Sequence, residues 1–249
     1  MKIDTVDLRK KWEMLSYEGK EKKIIFLHHT AGYDAKSAED WLYKSSLKNF
    51  RENKSCVGVN YYIDKTGIIY YAIDESKWAW HSGLGNLELE SRTISIELDN
   101  LGFMRKEDGC LFDLYNNRWV IDKEEGNLIK AYFGRYNFEF IELETFWRGF
   151  NIYHKYSDEQ IASLIKLLTE IFNRHKIERR IHKNFLPEQA TLKSDIYKNF
   201  SGIVNHSQFI GQKTNSDNYY DKLKSYVKWD LSIIFPVERM KTALGLQEI

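Results

Sequence analysis

The chain has 249 residues, with 37 Lys and Arg against 36 Asp and Glu, a formal net charge of +1. That balance argues against a nucleic-acid-binding protein, which carries a basic excess on one face, and a 43% hydrophobic fraction is too high for a disordered chain. Its longest apolar runs, Ile24-Ile25-Phe26-Leu27 and Leu231-Ser232-Ile233-Ile234-Phe235, fall far short of the ~20 residues of a membrane span.

Met1 to Asp7 has no apolar stretch of the kind a secretory signal needs. Cys56 and Cys110 are the only cysteines and read as structural thiols, compatible with synthesis in a reducing cytosol. Aromatic residues reach 15%, and flat rings with polar tips suit a groove for sugars or peptides.

In chain order, Ile24 to Leu27 reads as a buried strand. Ser37, followed by Glu39 and Asp40, predicts a helix N-cap, and Trp41, Leu42, Leu47 and Phe50 form the apolar stripe. Val57 to Ile63 and Ile68 to Ile73 read as strands joined by a tight turn at Asp64-Lys65-Thr66-Gly67. Thr93 to Leu98 alternates with period two, which sets Thr93, Ser95 and Glu97 on one face. Residues 102–150 are rich in Asn, Gly, Lys and aromatics, with short strand-like pieces such as Trp119-Val120-Ile121, and read as an insertion. Ser157 and Gln160 form a capping box for a helix whose apolar face is Ile161, Leu164, Ile165, Leu168, Ile171 and Phe172. Pro187 to about Phe200 and Tyr219 to Val227 read as further helices, with Ile203-Val204 a short strand between them. Strands interleaved with helices predict a single α/β domain with a mixed sheet flanked by helices. Its core covers about 20–101 and 151–228, with the insertion at 102–150 and a C-terminal tail at 229–249.

Three places can carry chemistry. His28 and His29 end a buried strand, where a side chain projects into a cleft from a rigid base, and neutral imidazole is the commonest metal ligand; two satisfied histidines in a turn are the plainer alternative. Glu97 sits at a strand centre, which is costly for a carboxylate unless it has a partner, or else it faces water on a one-sided sheet. His206 lies close before Lys213, Asn215 and Asp217. A catalytic zinc takes three protein ligands and keeps an open position; spacing along the chain does not decide whether these residues meet.

Four motifs occur in order with matching gaps: Ile25-Phe26-Leu27-His28-His29-Thr30-Ala31-Gly32, Val59-Asn60-Tyr61-Tyr62-Ile63-Asp64-Lys65-Thr66-Gly67, Trp78-Ala79-Trp80-His81-Ser82-Gly83 and Ile94-Ser95-Ile96-Glu97-Leu98-Asp99-Asn100. With Tyr156 to Ile161 and Asn205-His206-Ser207, the series resembles the type 2 zinc-dependent N-acetylmuramoyl-L-alanine amidases, whose fold is shared with peptidoglycan recognition proteins. The stretch from Trp147 to Tyr156 resembles a phage-lysin-like subgroup with an insertion.

The resemblance implies a groove for the glycan strand and stem peptide of peptidoglycan. It implies zinc ligands at His28 and His206, a catalytic Glu97, and Lys213 as the group that steadies the developing oxyanion. His81 and Trp80 fall at the groove wall, and Asn60 stands where many members have a histidine. The family's third ligand, an Asp or Cys two residues after the lysine, falls in register on Asn215, a poor zinc ligand; Asp217, two residues on, is the expected donor. The implied activity is zinc-dependent hydrolysis of the amide between N-acetylmuramic acid and L-alanine, the alternative a non-catalytic peptidoglycan-binding module on the same fold. A monomer made in the cytosol is expected, either released to the wall as a phage lysin or retained for wall recycling, with neither nucleic acid nor membrane as partner.

Overall fold

The computed structural model describes residues 4–30, 32, 34–107, 110–113, 118–119, 139–147, 150–186, 192–209 and 236–249. Strand β1 (Thr5–Asp7) and helix α1 (Arg9–Trp12) precede β2 (Tyr17–Glu18), β3 (Ile24–His29) and the long helix α2 (Ala35–Arg51). Then come β4 (Tyr61–Ile63), β5 (Ile69–Tyr71), β6 (Lys77–Trp78), the short helix α3 (Leu87–Ser91) and β7 (Thr93–Leu98). Strands β8 (Phe103–Glu107), β9 (Cys110–Asp113), β10 (Arg118–Trp119), β11 (Phe140–Trp147) and β12 (Phe150–His154) follow. The chain continues with helix α4 (Asp158–Arg174), β13 (Arg180–Ile181), β14 (Gly202–Asn205), helix α5 (Val237–Leu244) and β15 (Gln247–Glu248).

Among the described residues the main sheet has eight strands in the order β1-β5-β4-β7-β3-β14-β13-β15. Only β4 and β5 pair antiparallel; the other neighbours run parallel, so the sheet is mixed, as expected. Burial explains the pattern of β3, which is apolar from Ile24 to Leu27 because a central parallel strand is covered on both faces. On one face Ile25, Leu27, Ile94 and Ile96 pack against Ile161, Leu164, Leu168 and Ile171 of α4. Each such side chain contributes about 1.5–3 kcal/mol of burial. On the other, Ile24 and Phe26 pack with Leu84, Leu89, Val204 and Phe209.

Helix starts follow side-chain chemistry, with two revisions. Asp34, not Ser37, caps α2: its carboxylate accepts from the backbone N–H of Lys36 and Ser37, and the helix begins three residues earlier than read. Ser157 caps α4 as expected, but Gln160 does not complete a capping box. Its amide instead donates to the carbonyls of Ile63 and Asp99, 3.0 Å each, and ties the helix to the sheet. The turn at Asp64 to Gly67 is closed by Asp64 Oδ1, which accepts from the N–H of Thr66 and Ile68. Gly67 has φ +84°, and a Cβ there would meet Glu159 O at 2.8 Å, so both conformation and space require glycine.

Other expectations shift further. The read strands 57–63 and 68–73 shrink to β4 and β5, since Gly58 to Asn60 lead in without pairing as strand. Within 192–200 there is one turn of 3-10 helix, Ile196–Lys198, rather than a helix running to Phe200; Leu192 instead bridges to Phe209. The segment 102–150 carries most of a second, five-stranded sheet in the order β10-β9-β8-β12-β11. The end of the tail is woven into the domain: Met240 and Leu244 of α5 join the core under α4, and β15 extends the main sheet beside β13. Residues 219–227 lie outside the described residues. No helix among the described residues is long and apolar enough to cross a membrane.

Candidate metal centre

Parallel strands present their carboxyl ends to one edge, where ligands of open α/β sheets bind. His28 is near that end of β3, and in register it faces Glu97 of β7, which in turn faces Tyr62 of β4. Register partners on parallel strands share a face, so His28, Glu97 and Tyr62 lie on one side of the sheet while His29 points to the other. The face is the one lined by Phe26 and Ser95. Glu97 is half-buried, and the Tyr62 side chain beside it is fully buried. Burial, and then the Glu97 charge, hold the Tyr62 hydroxyl well above its ordinary pKa.

His206 reaches the same place from the far end of the sequence. Strand β14 pairs with β3 through Asn205 and Leu27, and His206 opens the 3-10 turn that follows. Its Nδ1 is 3.1 Å from His28 Nδ1, and its Nε2 is 2.8 Å from the carbonyl oxygen of Ser82. A third ring joins them: His81 Nδ1 lies 3.0 Å from His28 Nε2, and His81 Nε2 lies 3.0 Å from Glu90 Oε2 without a hydrogen bond between them. Phe26 forms the floor, stacked on His28 at 4.6 Å between centroids and edge-on to His81 and His206.

Charge in this pocket is tightly managed. Burial, and then the nearby His206 and Lys22, depress the His81 pKa well below the usual histidine value, so the ring is neutral. Burial pushes the Glu90 carboxyl up, opposed by hydrogen bonds from the Ser82 hydroxyl and the backbone N–H of His81 and Ser82.

Imidazole nitrogens bound to one zinc at about 2.0–2.1 Å in tetrahedral geometry stand roughly 3.3 Å apart. The 3.1 Å separation of His28 Nδ1 and His206 Nδ1 therefore fits a shared ion. Among the described residues no group of three His, Cys, Asp or Glu side chains could hold a metal. Asp217, the third donor expected, lies outside the described residues, as do Asn215 and Lys213.

The residues expected at the groove behave differently from one another. Trp80 is partly exposed and packs edge-on against Trp78, 5.3 Å between centroids. The His81 ring, expected at the wall, is only 2% exposed because it is held inward between His28 and Glu90. Asn60 is 1% exposed, and its side chain is occupied by the sheet: Nδ2 donates to the carbonyls of Ile73 and Asp74, and Oδ1 accepts from Ser95 N–H. Sequence reasoning missed Glu90 and Ser82. In Leu87-Glu88-Leu89-Glu90-Ser91 the two glutamates look alike, yet Glu88 is partly exposed and Glu90 is fully buried.

The N-acetylmuramoyl-L-alanine amidase family model matches residues 18–218. No curated protein matches the chain. Similar solved structures include the N-acetylmuramoyl-L-alanine amidase LysC from Clostridium intestinale URNW, 12% identical, with 99% of this chain and 100% of that one covered and a TM-score of 0.48. A mutant endolysin from Bacillus subtilis is 12% identical over 98% of this chain and 100% of that one, with a TM-score of 0.47. Drosophila peptidoglycan recognition protein SD is 12% identical over 94% and 100%, with a TM-score of 0.38. At these scores the likeness is loose, and the family match alone places the chain. It spans both histidines and the glutamate whose neighbours have just been described, and the chain belongs to the N-acetylmuramoyl-L-alanine amidase family.

Proposed function

We propose that the protein hydrolyses the amide bond between N-acetylmuramic acid and L-alanine in peptidoglycan, with a zinc ion held by His28, His206 and Asp217. The observation that carries this reading is the meeting of two imidazole nitrogens, 3.1 Å apart and 178 residues distant in sequence, beside the strand position of Glu97. A zinc ion bound there supplies Lewis acidity at the scissile carbonyl and toward water.

The chain's own groups supply the rest. The Glu97 carboxylate accepts the proton of the attacking water and returns it to the leaving amine, as the carbonyl carbon gains an oxygen and loses the alanine nitrogen. Lys213 offsets charge on the tetrahedral oxyanion. Phe26 and the neutral His81 keep the floor of the pocket rigid and dry. Trp80 offers a partly exposed ring to the sugar.

Digestion of purified peptidoglycan tests this: new N-terminal L-alanine amines should appear while the glycan strands stay intact, with about one zinc per chain. Neither His28→Ala nor His206→Ala should retain zinc or turnover. Asn215, at the register position of the family's third ligand, favours a second reading, a non-catalytic binder of the same polymer. Binding to peptidoglycan without release of alanine amines would establish that reading instead. We propose the setting to be release to the cell wall after cytosolic synthesis, as a phage lysin.

A further inference from the structure

His154 stands where the five-stranded sheet joins the main domain. The chain enters that sheet at Phe103 and leaves it at His154, and Phe103, Leu143, Trp147, Phe150 and Tyr153 form an apolar cluster apart from the main core. Both crossings close on His154, which is 2% exposed. Its N–H donates to the carbonyl of Gly102 at 2.9 Å, its carbonyl accepts from Asn100 Nδ2 at 3.0 Å, and its ring Nδ1 accepts from the backbone N–H of Leu101 at 2.9 Å. The other ring nitrogen, Nε2, meets Nζ of Lys65, a buried residue of the turn after β4. We propose that Lys65 and His154 form a pH-sensitive latch: the unprotonated amine of Lys65 accepts the His154 Nε2–H and fastens the base of the second sheet to the domain, and protonation of that amine releases it.

The hydrogens are fixed from the backbone outward. A peptide N–H only donates, so His154 Nδ1 presents its lone pair to Leu101. Burial, and then Lys65 and His29, hold the His154 pKa well below the usual histidine value, so the ring is neutral. A neutral imidazole with a bare Nδ1 carries its hydrogen on Nε2. That hydrogen faces Lys65 Nζ, and an ammonium has no lone pair to receive it, so only the free amine suits the contact. A seat for the protonated form lies nearby. The Asp99 charge acts on Lys65, yet Nζ lies against His154 instead, and Asp99 Oδ2 has no hydrogen-bond partner among the described residues. Protonated, Lys65 is repelled by the Nε2–H and drawn toward that oxygen.

The titratable groups facing Lys65 are His154 of β12, Asp99 just beyond β7, Glu139 just ahead of β11 and Asp64 in its own turn. His29, at the end of β3, acts on His154, and Asp34, ahead of α2, acts on Asp99. Helix α4 meets the turn through the Ser157 hydroxyl, which donates to the Lys65 carbonyl, with Asp158 and Glu159 exposed. Burial lowers the Lys65 pKa to about 8, opposed by Asp99 and then Glu139, and burial pushes the Asp99 carboxyl well up. An amine released to water returns to the ordinary lysine value of 10.5. Closing the latch therefore gives up a proton between about pH 8 and 10.5, and the latch tightens as pH rises across that window.

The experiment compares full-length wild type, Lys65→Gln and Lys65→Arg by amide hydrogen exchange at pH 7.5 and 9.5, with each rate set against the intrinsic rate at the same pH. Gln offers an accepting oxygen at both values and Arg a cation at both. Any slope from other titrating groups is common to the three proteins, so the ratio to Lys65→Gln isolates the latch. The reporter is the Leu101 amide, which donates to His154 Nδ1. Its protection in wild type should rise about tenfold relative to Lys65→Gln over this interval, and at pH 9.5 Lys65→Arg should be the least protected. Nitrogen-15 shifts at pH 9.5 should show wild-type His154 as the Nε2–H tautomer. A constant ratio of wild type to Lys65→Gln, equal protection in Lys65→Arg and Lys65→Gln, or an Nδ1–H tautomer at His154 overturns the latch. Should Lys65→Arg fail to fold, the wild-type ratio and the tautomer decide.

Discussion

Replacing Glu97 with Gln isolates the proton step, because the amide matches the carboxylate in size and cannot accept a proton at neutral pH. Strand β7 lies between β3 and β4 inside the sheet, so the backbone at 97 is held on both sides and the substitution should leave it in place. Glu97 is half-buried and outside the proposed ligand set. Zinc content should therefore match wild type, and stability should change by less than about 1 kcal/mol, a shift of a few degrees in Tm for a domain of this size. A positioned general base contributes about 10²–10⁴ in rate, or roughly 3–5 kcal/mol of transition-state stabilisation at ~1.4 kcal/mol per decade. The expected result is that fall in kcat with KM little changed, since the interaction is made in the transition state rather than the ground state. Release of alanine amines from peptidoglycan, run beside metal analysis on the same preparations, reads both quantities. Turnover within tenfold of wild type at equal zinc content refutes Glu97 as the base. Loss of zinc together with turnover would instead make it a ligand.

Three further substitutions probe the scaffold. Glu39, 0% exposed, accepts from Trp12 Nε1 at 2.7 Å and from the ammonium groups of Lys11 and Lys36; Glu39→Ala strands the buried Trp12 N–H and leaves both lysines to Asp40, so it should cost about 1–3 kcal/mol by urea denaturation, while a loss under about 0.5 kcal/mol would mean the cluster is dispensable. Gly67→Ala adds a Cβ 2.7 Å from Ser163 Oγ at φ +84°; strain and clash together should remove about 2–4 kcal/mol, and an unchanged Tm would refute the close approach of the turn to α4. Lys22 donates to the carbonyls of Lys77, Ser91 and Thr93, and burial lowers its pKa to about 8. Between about pH 8 and the ordinary lysine value near 10.5 the folded chain binds fewer protons than the unfolded one, so stability rises with pH across that window. Lys22→Met should remove this rise, and denaturation slopes identical in the two proteins from pH 8 to 10 would refute the burial of a titrating ammonium.

Local pattern reached some features and not others. The apolar run ending in His28 and the alternation from Thr93 to Leu98 declare two central strands, because a strand covered on both faces and a strand with one polar face leave different periods in sequence. Ser157 announces α4 because an N-cap bonds within three residues of itself. Where two short-range partners compete, as Asp34 and Ser37 do at α2, the carboxylate took both orphan N–H groups, and spacing alone did not rank them. Within 192–200 the helix read up to Phe200 gives way to one turn, with Leu192 bridged to Phe209, and the end of the tail, from 236 on, joins the domain because Met240 and Leu244 found the underside of α4.

The pocket depended most on tertiary structure. Motif order pointed to His28, Glu97 and His206 as residue types, but nothing local marks Glu90 apart from Glu88, or turns the His81 ring inward. Desolvation is decided by whatever chain packs over a side chain, and here that chain comes from 53 and 178 residues away. Sequence determined the central strands β3 and β7, the Ser157 cap and the identities of the candidate ligands, since those rest on pattern within a few residues. Only the folded sheet decided which nitrogens face each other and which carboxylate is buried behind them.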